Sequence, residues 1–443
     1  MPPNECKDSK FKLCFTLKQH TPLIHFQANQ NGATLRATEL KPKLDRFLLT
    51  KLGKGDYEKG KEEAKRKGWL IGKGEHPALD YKIKIQSDEK EEIDNFQTKK
   101  LGAYFGDYSS ILLDKISITI TSFQQKILEN IDENIFAEFI LTTNFGSRQN
   151  KGFGSFTVEK ANQKKIQVDT IPLLEKHYEV LNKLSSTNPL KEIASFYQDV
   201  KSGSKMRRRK SKLMQYFLKK NIRWEKRWIK RKLQEQNETL FQDLKDEYHQ
   251  KNDFNFNDDE NYQYIRSLLG ISGNIEFITY SYENKKNEAD DLKKQIEKER
   301  NRDQKNRLKR KRQRLMKEAD SLKIVVSIEH NEPRKEKKIE RFASPIFFKV
   351  INNDIYILME KERPLNREIL DKVFEFTASY KNGNEKTSLT PVLKTPDLTD
   401  RELANMYKEI FKHQPNKKNG SKPKKENIQK HFNNPFANLK DML

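Results

Sequence analysis

Cysteine is almost missing from this chain of 443 residues: only Cys6 and Cys14 occur. Two cysteines cannot build a disulfide framework, and without Cys-x-x-Cys spacing they argue against structural zinc. Long apolar runs are missing as well. None approaches the roughly 18 residues that a bilayer-spanning helix needs, and the opening Met1-Pro-Pro-Asn-Glu-Cys6 has no apolar signal core. The expected setting is the cytoplasm, with no membrane partner. His-Glu-x-x-His does not occur, and the eight histidines are scattered. No metal or cofactor is therefore expected. Apolar residues reach only 34% and the mean hydropathy is −0.97.

Positive charge is what the chain has in excess. Lys and Arg number 88 against 64 Asp and Glu, a formal net charge of +24 and a pI near 9.6. A balance of that size suits a polyanionic partner, and with membranes set aside the partner is nucleic acid. The chain also carries 26 Phe and 15 Tyr. Many aromatics in a polar chain point to compact cores separated by charged, solvated segments.

One stretch concentrates the informative residues: Asn144-Phe-Gly-Ser-Arg-Gln-Asn-Lys-Gly-Phe-Gly-Ser-Phe156. Gly146, Gly152 and Gly154 permit positive φ and close backbone approach. Consecutive N–H groups in such a loop can form a concave anion site, deepened by Arg148 and Lys151. Phe153 and Phe156 either stack a base or pack the loop down. No Gly-Lys-Ser/Thr follows, so this is not a nucleotide P-loop. A lead into a strand, in place of a helix, also excludes the dinucleotide fingerprint.

The run Gly146-Ser-Arg-x-x-Lys-Gly-Phe-Gly-Ser-Phe156 is similar to the glycine-rich loop of the RAMP superfamily, RNA-binding subunits of CRISPR effector complexes. Within it, the resemblance is greatest to the first subunit of the Cmr (type III-B) complex. The opening fits the same pattern: strand Leu13–Leu17, Thr21-Pro22-Leu23, a loop at Gly32–Arg36, and a polar helix start at Glu39–Arg46. It departs at Pro42-Lys-Leu-Asp-Arg46, where the family has a Ser/Gly-rich start. The resemblance implies an α+β fold with two ferredoxin-like (RRM-like) domains. It also implies contact with guide RNA near its 3′ region, help in capturing target RNA, other Cmr subunits as partners, and cleavage left to sibling subunits.

Periodicity along the chain agrees with that outline. Lys10–Lys18 alternates, with Phe11, Leu13, Phe15 and Leu17 on one side, and reads as a half-buried strand. A helix follows over Glu39–Leu49, with Pro42 in its first turn and Leu44, Phe47 and Leu48 as its buried stripe. Arg36, Lys41 and Lys43 cluster at its N-terminus, a natural anion site, with Arg46 beyond. Strands are expected at Tyr81–Ile85 and Lys115–Ile120, a helix at Gln124–Glu133 and an apolar segment at Ile135–Leu141.

Ile171–Gln250 reads as helical. Its centre, Lys205–Lys232, interleaves cations and aromatics. Arg207, Arg208, Arg209 and Lys210 are expected to meet RNA phosphate, while Trp224 and Trp228, four apart, are expected in the core. Farther on come a helix at Tyr264–Gly273, a charged run at Asn284–Lys317 (a long solvated helix or a mobile loop) and a strand at Lys323–Ile328. A hairpin Ile346–Ile351/Ile355–Met359 turns at Asn352-Asn353-Asp354, and a helix follows over Leu365–Tyr380. The expected domains are 1–160, a ferredoxin-like unit with the glycine loop; 161–260, a basic helical insertion; 261–385, a second ferredoxin-like unit interrupted at 284–317; and 386–443, a C-terminal helix with a flexible basic tail.

No acid–base pair stands out. His20, just after the first strand, sits where CRISPR RNA-processing ribonucleases of the same superfamily place a general acid or base. Three functions therefore remain in view: a non-catalytic Cmr subunit, a guide-processing endoribonuclease, and a stand-alone basic RNA-binding assembly factor.

Overall fold

A computed structural model describes residues 10–24, 35–72, 77–87, 91–93, 110–112, 115–203, 210–236, 261–270, 274–330, 344–361, 369–381 and 386–412. The chain divides into two compact units. The first comprises Met1–Tyr197, Ile346–Glu362 and Phe411–Leu443, the second Gln198–Pro345 and Arg363–Ile410.

The first unit is built on a five-stranded antiparallel sheet. Its strands are β1 (Lys12–Gln19), β3 (Lys82–Ser87), β4 (Lys115–Thr121), β5 (Phe156–Ala161) and the short β6 (Lys164–Lys165), after a two-residue β2 (Leu23–Ile24) that lies outside the sheet. They lie in the order β6-β5-β1-β4-β3. Helix α1 (Ala37–Leu52) comes between β1 and β3, and α3 (Gln125–Glu129) and α4 (Glu133–Thr142) between β4 and β5; α2 (Tyr57–Arg66) follows α1. The four long strands are thus ordered fourth, first, third, second, with one helical crossover in each half.

Alternation puts Phe15 and Leu17 of β1 and Ile116, Ile118 and Ile120 of β4 on the covered face, against Leu40 and Leu44 of α1 and Phe136, Phe139 and Ile140 of α4. The Phe15 and Phe136 rings stack with centroids 4.0 Å apart. Phe11 does not join them: it precedes the strand and is 46% exposed. The apolar segment at Ile135–Leu141 is helix α4, started by the Asp132 carboxylate, which accepts from the Ile135 N–H at 2.7 Å. The helix expected at Gln124–Glu133 ends at Glu129, three residues before that cap. Helix α1 starts earlier than expected, so Pro42 lies inside it and not in its first turn.

Helix α5 (Thr170–His177) leads into β7 (Tyr178–Ser185), a strand where the sequence reads as helix. Its partners come from far along the chain. Strands β10 (Ile346–Ile351) and β11 (Asp354–Glu360) form the expected hairpin, with Asn352 at φ 53°, and β11 pairs with β7 to give the sheet β7-β11-β10. Helix α6 (Pro189–Lys201) follows β7.

The second unit contains α7 (Lys212–Leu218), α8 (Glu225–Gln236) and a four-stranded antiparallel sheet: β8 (Asn274–Phe277), β9 (Ile324–His330), β12 (Val373–Tyr380) and β13 (Lys386–Lys394). These four are neighbours in chain order, β8-β9-β12-β13, not in the crossed order of the first unit. A helical hairpin, α9 (Tyr280–Lys298) and α10 (Arg302–Ser321), joins β8 to β9 and resolves the charged run into two helices. Helix α11 (Asp400–Phe411) ends the described chain. Val373–Tyr380 is strand where a helix was expected: Phe374, Phe376 and Ala378 are buried at every second position. Tyr264 is followed only by a short 3-10 turn, Ile265–Leu269. Trp224 and Trp228 are buried, the latter edge-on to Phe376 at 5.8 Å, so both serve the core. The basic tail after Pro415 lies outside the described residues.

Candidate nucleic-acid interface

The glycine-rich loop runs from the end of α4 into β5 and is braced on three sides within the first unit. Asn144 and Ser155 close its base as a β-bridge. On the first side stands the segment after β1. The Thr21 hydroxyl donates to the Gly152 carbonyl at 2.6 Å and accepts from the Ser155 N–H at 2.9 Å, while the Gly154 and Ser147 N–H groups donate to the carbonyls of Pro22 and Ile24.

Helix α1 forms the second side. The Glu39 carboxylate accepts from the Gly146 N–H at 2.7 Å, and Lys43 Nζ donates to Glu39, to the Asn144 carbonyl at 3.0 Å and to the Gln149 side chain at 2.8 Å. Strand β10 is the third. The Asn144 amide donates to the Gln149 and Phe348 carbonyls, and the Ser155 hydroxyl donates to the Val350 carbonyl at 2.6 Å.

This bracing changes the roles of several expected contact residues. The loop N–H groups of Phe145, Gly146, Ser147, Lys151, Gly152, Gly154 and Ser155 all donate within the protein. They do not form the open anion nest that the glycines implied, because a packed loop must pair its own backbone. Gly152 and Gly154 make room for protein: a Cβ on Gly152 would come within 2.7 Å of Ile193 Cδ1, and one on Gly154 would collide with the Phe145 carbonyl. Phe153 is 3% exposed, so it packs the loop down and cannot stack a base. Lys43 spends its three protons inside the protein. Lys41 is held by both Asp45 oxygens and the Leu79 carbonyl, above the Tyr81 ring. Lys151 Nζ lies 2.9 Å from the centroid of the Tyr197 ring.

The remaining expected residues are exposed or half-exposed, or lie outside the described residues. Arg148 occupies the left-handed region at φ 58° and is half-exposed at the loop tip beside exposed Ser147. Arg36, half-exposed, is the N-cap residue of α1, and Arg46 is exposed on the same helix above Tyr57. Arg207, Arg208 and Arg209 lie outside the described residues. Lys210 is half-buried just before α7, its carbonyl accepting from Gln215.

Two groups that support the site carry shifted protonation equilibria. Lys349, on β10, is fully buried. Its ammonium donates to the carbonyls of Ile140 at 2.8 Å and Thr143 at 2.9 Å, at the C-terminal end of α4 where orphan carbonyls need partners. Burial pushes its pKa well down. His20 Nδ1 accepts from the Asn352 N–H at 3.1 Å, which puts the ring proton on Nε2, 2.8 Å from the Thr157 hydroxyl. Burial, with Lys349 and Lys18 nearby, lowers its pKa to about 3. His20 is a neutral brace whose two nitrogens are both occupied. Sequence reasoning passed over Lys349, which nothing in its local pattern marks, and gave Asn144 and Thr21 no role of their own although both lie in the quoted motifs.

Residues 10–204 match the Cmr1 N-terminal domain, and residues 208–434 match the Cmr1 C-terminal domain. The chain belongs to the Cmr1 family. It is thus a Cmr1-like RAMP subunit, and both loop and helix α1 fall within the Cmr1 N-terminal match. A crystal structure of apo Cmr1 from Pyrococcus furiosus is similar over 42% of this chain and 58% of that one, at 13% identity and a TM-score of 0.26. No curated protein matches. Among the described residues, no group of His, Cys, Asp and Glu is placed to hold a metal, and no helix is long and apolar enough to cross a membrane.

Proposed function

We propose that this Cmr1-family chain is a non-catalytic RNA-binding subunit of a type III-B (Cmr) CRISPR complex. In this reading it contacts the 3′ region of the guide RNA, helps capture target RNA, and works in the cytoplasm beside other Cmr subunits. The observation that carries it is the presentation of Arg148: a non-glycine residue held in the left-handed region at the tip of a loop braced from three sides. Strain of that kind persists where surrounding structure over-determines it, and binding sites are where it concentrates. Arg36 and Arg46 extend the cationic surface along α1. The crossed strand order of the first unit fits a ferredoxin-like fold, in which helices cover one sheet face. The engaged, neutral His20 supports a non-catalytic role over the processing ribonuclease.

Gel-shift titrations with single-stranded RNA at several salt concentrations test this. Arg36→Ala with Arg148→Ala should weaken binding and reduce the salt slope by about 0.7 for each lost phosphate contact. Unchanged affinity and slope would remove RNA binding from this surface.

A further inference from the structure

The two helices of the hairpin in the second unit are built to different charge rules. Helix α9 carries five acidic residues (Glu283, Glu288, Asp290, Asp291, Glu297) and five lysines, and so balances. Helix α10 has nine cations against three acids (Asp303, Glu318, Asp320), a surplus of six. Their apolar seam is modest: Ala289 and Leu292 meet Leu315, with Leu308 and Met316 beside them. Solubility does not require a surplus on one helix only.

The cations are also ordered. Arg307, Arg310, Arg314 and Lys317 follow one another at i, i+3, i+7 and i+10, which at 3.6 residues per turn confines them to an arc of about 80°, along about 15 Å of helix. All four are exposed, on the side away from Leu308 and Leu315. Arg314 pairs with Glu318 at 3.0 Å but is itself 84% exposed. Arg307, Arg310 and Lys317 have no acidic partner among the described residues. Like charges at these spacings destabilise a helix, so the stripe works against its own fold.

We infer that the outward face of α10 is a second nucleic-acid contact, which grips an RNA phosphate backbone without reading its sequence. Three of the four cations are arginine, whose planar fork matches phosphate oxygens. An acidic protein partner fits less well, since interfaces are anchored by buried aromatic or apolar groups and the stripe has none. A membrane surface needs an apolar face to insert, and α10 turns its own towards α9. This inference rests on the RNA-binding reading above but uses a different surface.

The test compares three variants of the full chain by gel shift with two unrelated single-stranded RNAs. The stripe variant is Arg307→Gln, Arg310→Gln, Arg314→Gln and Lys317→Gln. The control is Lys286→Gln, Lys293→Gln, Lys294→Gln and Lys298→Gln on α9, which removes the same charge from the same hairpin. The third is Arg36→Ala with Arg148→Ala. The stripe variant should bind both RNAs at least tenfold more weakly at low salt, with a slope smaller by roughly two to three. Its melting temperature should be unchanged or higher, and the control should bind nearly as the wild type does. Wild-type binding by the stripe variant, or equal loss in stripe and control, would overturn the inference. If only the loop variant loses binding, the proposed function stands and this inference fails. No RNA binding by the wild type would remove both.

Discussion

The side-chain amide of Asn144 donates to the main-chain carbonyl of Phe348, 2.9 Å away in space and 204 residues later in the chain. That bond ties the base of the glycine-rich loop to β10, while the same amide group holds the Gln149 carbonyl at 2.8 Å. Asn144→Leu should therefore strip this donor from the Phe348 carbonyl and leave the Gln149 carbonyl with the Gly152 N–H, a loss of about 1–3 kcal/mol. Asn144→Asp should be worse, because it faces those carbonyls with another acceptor. Urea unfolding of the two variants checks the order, and equal stability of wild type and Asn144→Leu would show that the loop does not depend on this bond.

Glycines in this chain divide by what surrounds them. Gly154 (φ +62°) and Gly72 (φ +97°) both have positive φ, but a Cβ at Gly72 meets nothing within 4 Å, whereas one at Gly154 strikes the Phe145 carbonyl. Gly72→Ala should cost only the backbone term, about 1–2 kcal/mol. Gly154→Ala should cost more and displace the loop, lowering RNA affinity as well as stability. Thermal melts and gel shifts on both variants test the contrast; two similar melting temperatures would contradict it.

His20 gives the stability a pH dependence with a defined sign. The unfolded chain takes up this proton near the ordinary imidazole value of 6.5, the folded chain only near about 3. Between those values the unfolded state binds more protons, so stability falls as pH falls, by at most about 1.4 kcal/mol per pH unit. His20→Gln should flatten that dependence across the window. The same variant and the wild type should both leave single-stranded and hairpin RNA intact, with or without Mg²⁺ or Mn²⁺. Cleavage that vanishes in His20→Gln would restore the ribonuclease reading.

Much of the first unit was legible because its signals are local. The alternation through Phe15 and Leu17 marks β1, the stripe Leu44, Phe47 and Leu48 marks α1, and Asn352-Asn353 marks the β10–β11 turn. The loop motif itself pointed to the family. Two failures have a shared cause. Tyr178–Ser185 and Val373–Tyr380 read as helix by their surroundings, yet each is strand because a partner strand was available to pair with it. No window of sequence contains that partner.

By itself, then, the sequence determined the net positive charge, most of the strand and helix periods of the first unit and the glycine loop, which are written in the residues themselves. Only the tertiary structure decided which cations are taken into the packing of the loop. Lys43 and Lys151 look like Arg148 in sequence, but the first is consumed by Glu39, Asn144 and Gln149 and the second lies against Tyr197. Lys349 likewise reads as an ordinary polar position in a strand until the C-terminal end of α4 presents the Ile140 and Thr143 carbonyls to it. A side chain's role depends on which groups must be satisfied around it, and those groups are brought together by the fold.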